Sequence, residues 1–302
     1  MRAYGFTEYG GPETEAWLDL PAPAPGPGEI LVAVRAAGVN PVDWKIRAGM
    51  HRAFLPLTLP AVLGREVAGV VDRIGDGVTG FAVGDAVFGG GDGGGYAELC
   101  VLPAGRTAHK PAAVSFTDAA ALPVAAGTAY DAVAQLGLGA GDTLLILGIG
   151  GGVGVAAAQL ARAAGVTVLG TASAAKRTFV ESLGAIAIPY DTDDLALPDR
   201  VDAILDLAGA LRAVASLSTP GCRVLTVADQ RTAAEFGARP LSRRSSTATL
   251  TELARRVARG ALDPLVRSVF SFDEAGAALR AVESGHAWGK VVIEAISTRS
   301  GR

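Results

Sequence analysis

The sequence contains few cysteines and few aromatic residues, and its net charge is small. Among 302 residues the only cysteines are Cys100 and Cys222, which lie in apolar, strand-like runs without a partner motif. This spacing excludes a disulfide framework and predicts two buried thiols in a cytoplasmic protein. The formal net charge of −3 gives no reason to expect nucleic acid or an anionic membrane as a partner.

Long hydrophobic runs are scarce as well. The opening residues, MRAYGFTEYGG, lack the apolar segment of a signal peptide. One uncharged run, 143–161, approaches membrane length, but glycines interrupt its middle and its pattern reads strand, turn, helix. A spanning helix is not expected there, and the sequence indicates a soluble protein without a membrane partner.

What the sequence has in abundance is glycine, 40 residues in all, within an alternation of strands and helices. The first third is β-rich, with strands predicted at 30–36 and 67–74. Strands are then predicted at 143–147, 166–170, 203–206 and 223–228, with helices at 153–164, 175–183, 211–217 and 250–259. This alternation predicts an α/β fold with a doubly wound parallel sheet.

The ends of the chain differ from its middle. Segment 263–302 mixes a strand at 265–270, a helix at 273–284 and a strand at 290–296. We therefore predict two domains: an α/β domain at 120–262, and a second domain built from 1–119 and 263–302.

A glycine-rich turn carries the strongest local signal. Gly148, Gly151 and Gly154 follow a predicted buried strand and open a predicted Ala-rich helix, while Ile149 stands where a strict G-x-G-x-x-G motif has its first glycine. Glycines allow the tight turn and let the backbone approach a pyrophosphate at the helix N-terminus. The turn predicts a dinucleotide site.

The end of the next strand distinguishes between two dinucleotides. An NAD site has Asp or Glu there to hold the ribose hydroxyls, whereas this chain has Ser173, Lys176 and Arg177. Charge-assisted hydrogen bonds from such residues favour the 2′-phosphate of NADPH. The alternative is that both cations only solvate the first turn of a helix, where they would oppose the helix dipole.

Several motifs appear in an order that resembles the zinc-independent quinone oxidoreductase branch of the medium-chain dehydrogenases/reductases. They are AAGVNPVDWKIRAG (36–49), LGREVAGVV (63–71), VGDAVFG (83–89), GGYAE (94–98), ALPVAAGTAYDAV (121–133), LGIGGGVGVAAAQLARAAG (147–165), GTASAAKR (170–177), LGA (183–185) and HAWGKVVIE (286–294). The resemblance implies a GroES-like β-rich domain, a Rossmann-type NADPH domain and a homodimer. The implied activity is hydride transfer to a quinone or a small α,β-unsaturated carbonyl compound.

The resemblance also assigns site residues. Asn40 and Lys45 would border the nicotinamide and act in catalysis, and Thr128 would lie near the cofactor's inner half. The remaining assignments are Gly151, Gly152 and Val153 at the pyrophosphate, and Ser173, Lys176, Arg177 and Tyr190 around the 2′-phosphate.

The residues at the family's metal position argue against zinc. Zinc-dependent relatives carry Cys where this chain has Asn40 and His where it has Arg65. Neither an amide nor a guanidinium cation is a credible zinc ligand. The three histidines are scattered without metal spacing, so a metal-free enzyme is expected.

Two alternatives stay open at this level. Lys45, where many quinone reductases have tyrosine, either donates to the substrate oxygen or forms a salt bridge with Asp43 or Glu66. The substrate is either a quinone or enone, or the unsaturated intermediate of a biosynthetic enoyl reductase. A protein of another class, a non-catalytic NADPH-binding sensor or RNA-binding protein, would use the arginines at 231, 239, 243 and 244, but no aromatic residues are interleaved with them.

Overall fold

The structure is a computed structural model that describes residues 1–190, 198–218, 220–228 and 233–294. It divides into two compact units, one formed by Met1–Ala125 with Ser245–Arg302 and the other by Ala126–Arg244. These limits differ from the predicted domain limits of 120 and 262. Helix Thr247–Ala258 belongs to the first unit, where Thr247 Oγ1 donates to the Ala104 carbonyl oxygen at 3.2 Å.

The first unit contains two sheets whose strands are mainly antiparallel. The strands of this unit are β1 (Arg2–Phe6), β2 (Glu15–Asp19), β3 (Glu29–Val39), β4 (Ala61–Val62), β5 (Glu66–Ile74), β6 (Ala86–Gly90), β7 (Leu99–Pro103), β8 (Thr107–His109), β15 (Val266–Ser271) and β16 (Lys290–Glu294). The larger sheet has the order β15-β16-β3-β5-β6-β8, with β7 also paired to β3, and a smaller sheet has the order β2-β1-β4. The 11-residue β3 is the centre of this arrangement.

In the described part of this unit, the α-helices that accompany these strands are α1 (Pro41–Arg47), α2 (Phe116–Ala120), α6 (Thr247–Ala258) and α7 (Ala275–Glu283). Helix α1 starts directly after β3, because Pro41 has the φ that a first helical position requires and Asp43 accepts a hydrogen bond from Asn40 N at 2.9 Å. Buried side chains from β3, β5 and β16 form the core with those from α7.

The second unit is a six-stranded parallel sheet with the order β11-β10-β9-β12-β13-β14. Its strands are β9 (Thr143–Leu147), β10 (Thr167–Ala172), β11 (Ile186–Pro189), β12 (Ala203–Asp206), β13 (Arg223–Thr226) and β14 (Arg239–Pro240). Every pairing is parallel. The prediction of a Rossmann-type doubly wound sheet is confirmed, and the strand order reverses on the two sides of β9.

Among its described residues, the second unit has the α-helices α3 (Gly127–Leu136), α4 (Gly152–Ala163) and α5 (Arg177–Ser182). Segment 211–217, predicted as a helix, is a 3-10 helix with non-helical backbone angles at Val214. The apolar run at 143–161 consists of β9, the glycine turn and most of α4. Within the described ranges, no helix combines the length and apolar character needed to cross a membrane.

Candidate active site

Asn40 lies at the junction of β3 and α1, in a buried polar network of the first unit. Its Nδ2 donates to Glu66 Oε1 at 2.7 Å, and its Oδ1 accepts from Lys290 Nζ at 2.8 Å. Asn40 and Glu66 are 4% and 1% exposed. Both ends of the amide are therefore engaged by charged groups in surroundings that exclude water.

Lys290 is the buried cation of this network and is 3% exposed. Its ammonium has three donors, and three acceptors surround it: Glu66 Oε1 at 2.7 Å, Asn40 Oδ1 at 2.8 Å and the Val39 carbonyl oxygen at 3.1 Å. Burial of an ammonium is tolerated only with such full pairing. Lys290 is thus balanced by the Glu66 carboxylate.

Gly38 makes room for the Glu66 carboxylate. A Cβ at position 38 would lie 2.1 Å from Glu66 Oε1 and 2.5 Å from the Ala120 carbonyl oxygen. On its other oxygen, Glu66 accepts from Val124 N at 2.6 Å. The network therefore depends on a missing side chain in β3 as well as on its charged members.

Asp43 and Tyr96 extend the network. Tyr96 OH donates to Asp43 Oδ2 at 2.9 Å, and burial raises the pKa of Tyr96 well above its ordinary value. Burial also raises the pKa of Asp43 to about 6, against the lowering effect of its hydrogen bonds from Asn40 and Tyr96. Asp43 Oδ1 accepts no hydrogen bond from the described residues.

Lys45 is half-buried on α1. Its Nζ lies 5.7 Å from the centre of the Trp44 ring, and among the described residues it forms no ion pair. The alternative of a salt bridge to Asp43 or Glu66 is not what the structure has, because Glu66 pairs with Lys290. The positive charges of Lys45 and Arg65, together with burial as the larger effect, lower the pKa of His51.

A recess of about 220 Å³ in the first unit adjoins this network. Its walls are largely apolar, as in small-molecule sites. The lining residues are Ile46, Leu57, Ala61, Val62, Leu63, Gly64, Gly93 and Gly94, together with Asp43, Arg65 and Asp92.

The glycine turn of the second unit has the geometry of a dinucleotide loop. Gly148 has φ +83°, in the left-handed region that favours glycine, and its N donates to Thr171 Oγ1 at 3.0 Å. A Cβ at Gly154 would lie 2.5 Å from the Ile149 carbonyl oxygen, so this glycine lets helix α4 pack against the turn. Gly151 immediately precedes α4 and is exposed, so a phosphate can approach its backbone.

Lys176 lies against this turn. A Cβ at Gly150 would be 3.2 Å from Lys176 Cδ and 3.7 Å from its Nζ, and burial lowers the pKa of Lys176. Ser173 follows β10 directly and is half-buried. The end of β10 therefore presents a hydroxyl and an ammonium, and no carboxylate stands at 171–177.

The other predicted cofactor residues are placed less tightly. Arg177 begins α5 and pairs with Glu181 at 2.8 Å, both side chains being exposed. Tyr190 is 63% exposed and its N donates to the Ala172 carbonyl oxygen at 3.2 Å, which brings it beside the end of β10. Thr128 is buried in the first turn of α3, and Gly152 and Val153 open α4.

Sequence reasoning missed Asp206, at the end of β12. This fully buried carboxylate accepts from Thr226 Oγ1 at 2.8 Å and from the backbone N–H groups of Ala208, Gly209 and Ala210. Its position at the carboxyl end of a central strand followed by Leu-Ala-Gly was the available signal. It fixes the loop that follows β12.

Two family models match the chain: the alcohol dehydrogenase GroES-like domain over residues 26–112, and the zinc-binding dehydrogenase domain over residues 183–293. Both models describe domains of dehydrogenases, which is the class of protein that they indicate for this chain. The quinone-oxidoreductase QR1, chloroplastic, of Triphysaria versicolor is 34% identical over 97% of this chain and 98% of that protein.

Two further matches are of similar extent. The NADPH-dependent alkenal/one oxidoreductase, chloroplastic, of Arabidopsis thaliana is 31% identical over 97% of this chain and 79% of that protein. The solved quinone oxidoreductase from Coxiella burnetii superposes with a TM-score of 0.91 at 32% identity, over 97% of this chain and 99% of that one. The chain belongs to the medium-chain dehydrogenase/reductase family, among its quinone oxidoreductases.

Proposed function

We propose that the protein is an NADPH-dependent oxidoreductase that transfers hydride to quinones or small α,β-unsaturated carbonyl compounds without a metal. The observation that supports the cofactor is the end of β10, where Ser173 follows the strand, Lys176 stands beside the glycine turn and no carboxylate is present. The relatives named above support the substrate class.

The residues present fit the cofactor. The exposed backbone at Gly151 and the first N–H groups of α4, at Gly152 and Val153, suit a pyrophosphate at a helix N-terminus. Ser173, Lys176, Arg177 and Tyr190 would surround the 2′-phosphate, and Thr128 would contact the cofactor's inner half. When bound, NADPH supplies the hydride.

Zinc-free chemistry is part of the proposal and has its own support. Asn40 and Arg65 occupy the positions that carry Cys and His in zinc-dependent relatives. Asn40 is held by Glu66 and Lys290, and Arg65 donates to the Asp92 carbonyl oxygen at 3.2 Å. Because an ammonium stands 2.7 Å from Glu66, a zinc ion beside that carboxylate would have to displace or oppose a buried cation.

Asn40 and Lys45 are the proposed catalytic residues. A conjugated carbonyl compound accumulates negative charge on its oxygen when hydride reaches the distant carbon. Hydrogen-bond donors held in place at that oxygen stabilise the charge, and the loss of one such donor typically costs about 100-fold in rate. Asn40 is held rigidly, whereas the longer Lys45 side chain can adjust to the substrate or deliver a proton.

The proposal extends to partners and compartment. We propose a homodimer, as the family resemblance implies, in a reducing cytoplasm that suits the free thiols of Cys100 and Cys222. We propose no nucleic-acid or membrane partner. Arg231 lies outside the described residues, and Arg244 N donates to Asp131 Oδ2 at 2.8 Å, which ties the end of that arginine stretch to α3.

Steady-state NADPH oxidation tests the function. We expect turnover with 1,4-quinones or short enones, little turnover with enoyl thioesters, and no change after dialysis against a chelator. Turnover confined to enoyl thioesters would favour the biosynthetic alternative. Loss of activity on chelation with recovery on adding zinc would contradict the metal-free mechanism.

A further inference from the structure

The buried pair of Lys290 and Glu66 enters the proposed function as an argument against zinc, but its effect on the chemistry of Asn40 is a separate question. Both residues are at most 3% exposed, and both contact the amide of Asn40. Replacing a buried ion pair by well-packed apolar residues is often neutral or stabilising. Stability alone therefore gives weak grounds for this arrangement.

The pair distinguishes the two ends of the Asn40 amide. The oxygen accepts from the ammonium at 2.8 Å, and the nitrogen donates to the carboxylate at 2.7 Å. Turning the amide by 180° would aim N–H groups at the ammonium and an oxygen at the carboxylate. This turn would replace two charge-assisted hydrogen bonds by two repulsive contacts. The observed orientation of the amide should therefore be favoured over the turned one by more than about 100-fold.

A neutral environment would not give this selection, because the amide oxygen and nitrogen of asparagine are nearly equal in size. Glu66 takes one Nδ2 hydrogen, and an amide nitrogen carries two. The second hydrogen keeps a fixed direction as long as the charged pair is intact.

We propose that Lys290, together with Glu66, is a positioning residue that fixes the orientation of the Asn40 amide, so that its second Nδ2 hydrogen is preorganised for the substrate or the nicotinamide. The inference rests on the proposed function, in which Asn40 is a donor. Lys290 itself touches neither ligand and acts through Asn40.

A double-mutant cycle tests this coupling. The variant Glu66→Gln with Lys290→Met removes both charges together, which avoids leaving one buried charge unpaired. We expect its kcat with a 1,4-quinone to fall about 30- to 100-fold, while its Kd for NADPH, from fluorescence titration, changes less than about threefold. In an Asn40→Ala background the same pair of changes should alter kcat less than about threefold, because coupled residues are not additive.

The matched control is Arg47→Met. Arg47 is another buried cation of the first unit, 1% exposed, and its guanidinium pairs with Glu15 and Glu283 rather than with Glu66. We expect it to lower the denaturation midpoint and leave kcat within about threefold. An equal fall in kcat would show that destabilisation alone explains the loss, and would overturn the proposal.

Further outcomes distinguish a failure of the positioning role from a failure of the proposed function. Unchanged kcat in the Glu66→Gln, Lys290→Met variant, or an equal fall in the Asn40→Ala background, would overturn the positioning role while the enzyme remains a quinone reductase. Full turnover by Asn40→Ala, or no turnover by the unaltered protein, would instead contradict the proposed function.

Discussion

The two units present their functional groups in opposite ways. In the first unit, Asn40, Glu66 and Lys290 are buried and satisfy one another at 2.7–2.8 Å. In the second, Arg177 and Tyr190 are more than half exposed. Groups that act on a developing charge benefit from a rigid, water-free setting, whereas groups that hold a phosphate can stay solvated. The stability of the first unit should therefore be sensitive to substitutions in this buried network, whereas the stability of the second unit should tolerate substitutions of its exposed groups.

The largest expected effect is the loss of a buried cation. Lys290→Met leaves Glu66 buried without its counter-ion and should lower the free energy of unfolding by about 3–5 kcal/mol. Arg177→Met removes only an exposed i, i+4 pair and should cost about 0.5 kcal/mol or less. Urea denaturation of both variants checks the contrast, and similar losses would remove the distinction between the units.

Asp43 should give the first unit a pH dependence. Its pKa of about 6 in the folded protein exceeds the ordinary value of 3.8, so the folded state binds the proton more tightly. Its contribution to stability is complete below about pH 4 and is lost as the pH rises through 6, by roughly 2–3 kcal/mol.

The Asp43→Asn variant, which cannot titrate at this position, is the control for this pH dependence. The stability of this variant should decline less between pH 4 and pH 7 than that of the unaltered protein. Glu66 and Lys290 also act on Asp43, raising and lowering its pKa respectively, so only the difference between the two profiles is assigned to Asp43. Parallel profiles would show that Asp43 does not titrate in this range.

Substitutions at the proposed 2′-phosphate site should change the affinity for NADPH rather than the stability of the protein. Lys176→Ala with Arg177→Ala removes two cations and should raise the Kd for NADPH about 10- to 100-fold, with the unfolding free energy nearly unchanged. The Kd for NADH, which lacks the phosphate, serves as the internal control and should stay constant. An unchanged Kd for NADPH would show that the phosphate binds elsewhere.

Two glycines of the turn give the smallest effects and separate folding from binding. Gly148→Ala forces a Cβ into φ +83° and should cost about 1–2 kcal/mol of stability. The Cβ added by Gly151→Ala meets no atom closer than 3.8 Å, so stability should be unchanged. The same substitution should weaken the binding of NADPH and of NADH several-fold alike. Equal behaviour of the two variants would contradict the assignment of Gly151 to the pyrophosphate.

Much of the second unit could be predicted because its signals are local. Strands 143–147 and 203–206 were predicted at the bounds that the structure has, since buried parallel strands read as continuous apolar runs. The short β11 and β14 escaped prediction because little periodicity marks them. Segment 211–217 was predicted as a helix, but it is a 3-10 helix with non-helical backbone angles at Val214. The glycine-rich run 89–95 is flexible by composition and has no periodicity, yet Gly91 and Gly95 are buried and Gly93 and Gly94 line the recess.

The first unit resisted prediction because its site depends on contacts between distant residues. Lys290 lies 224 residues from Glu66 and 250 from Asn40, and no spacing rule links them. One signal was available: a lysine that opens the apolar run VVIE must find a partner if that strand is buried. The salt bridge considered for Lys45 belongs instead to Lys290.

Hydride tracing tests the central claim most directly. The protein is incubated with an enone and NADPH that carries deuterium at the transferred position, and the product is analysed by mass spectrometry and NMR. We predict one deuterium on the carbon β to the carbonyl and none at the carbonyl carbon. Deuterium at the carbonyl carbon, or a product without deuterium, would contradict the account.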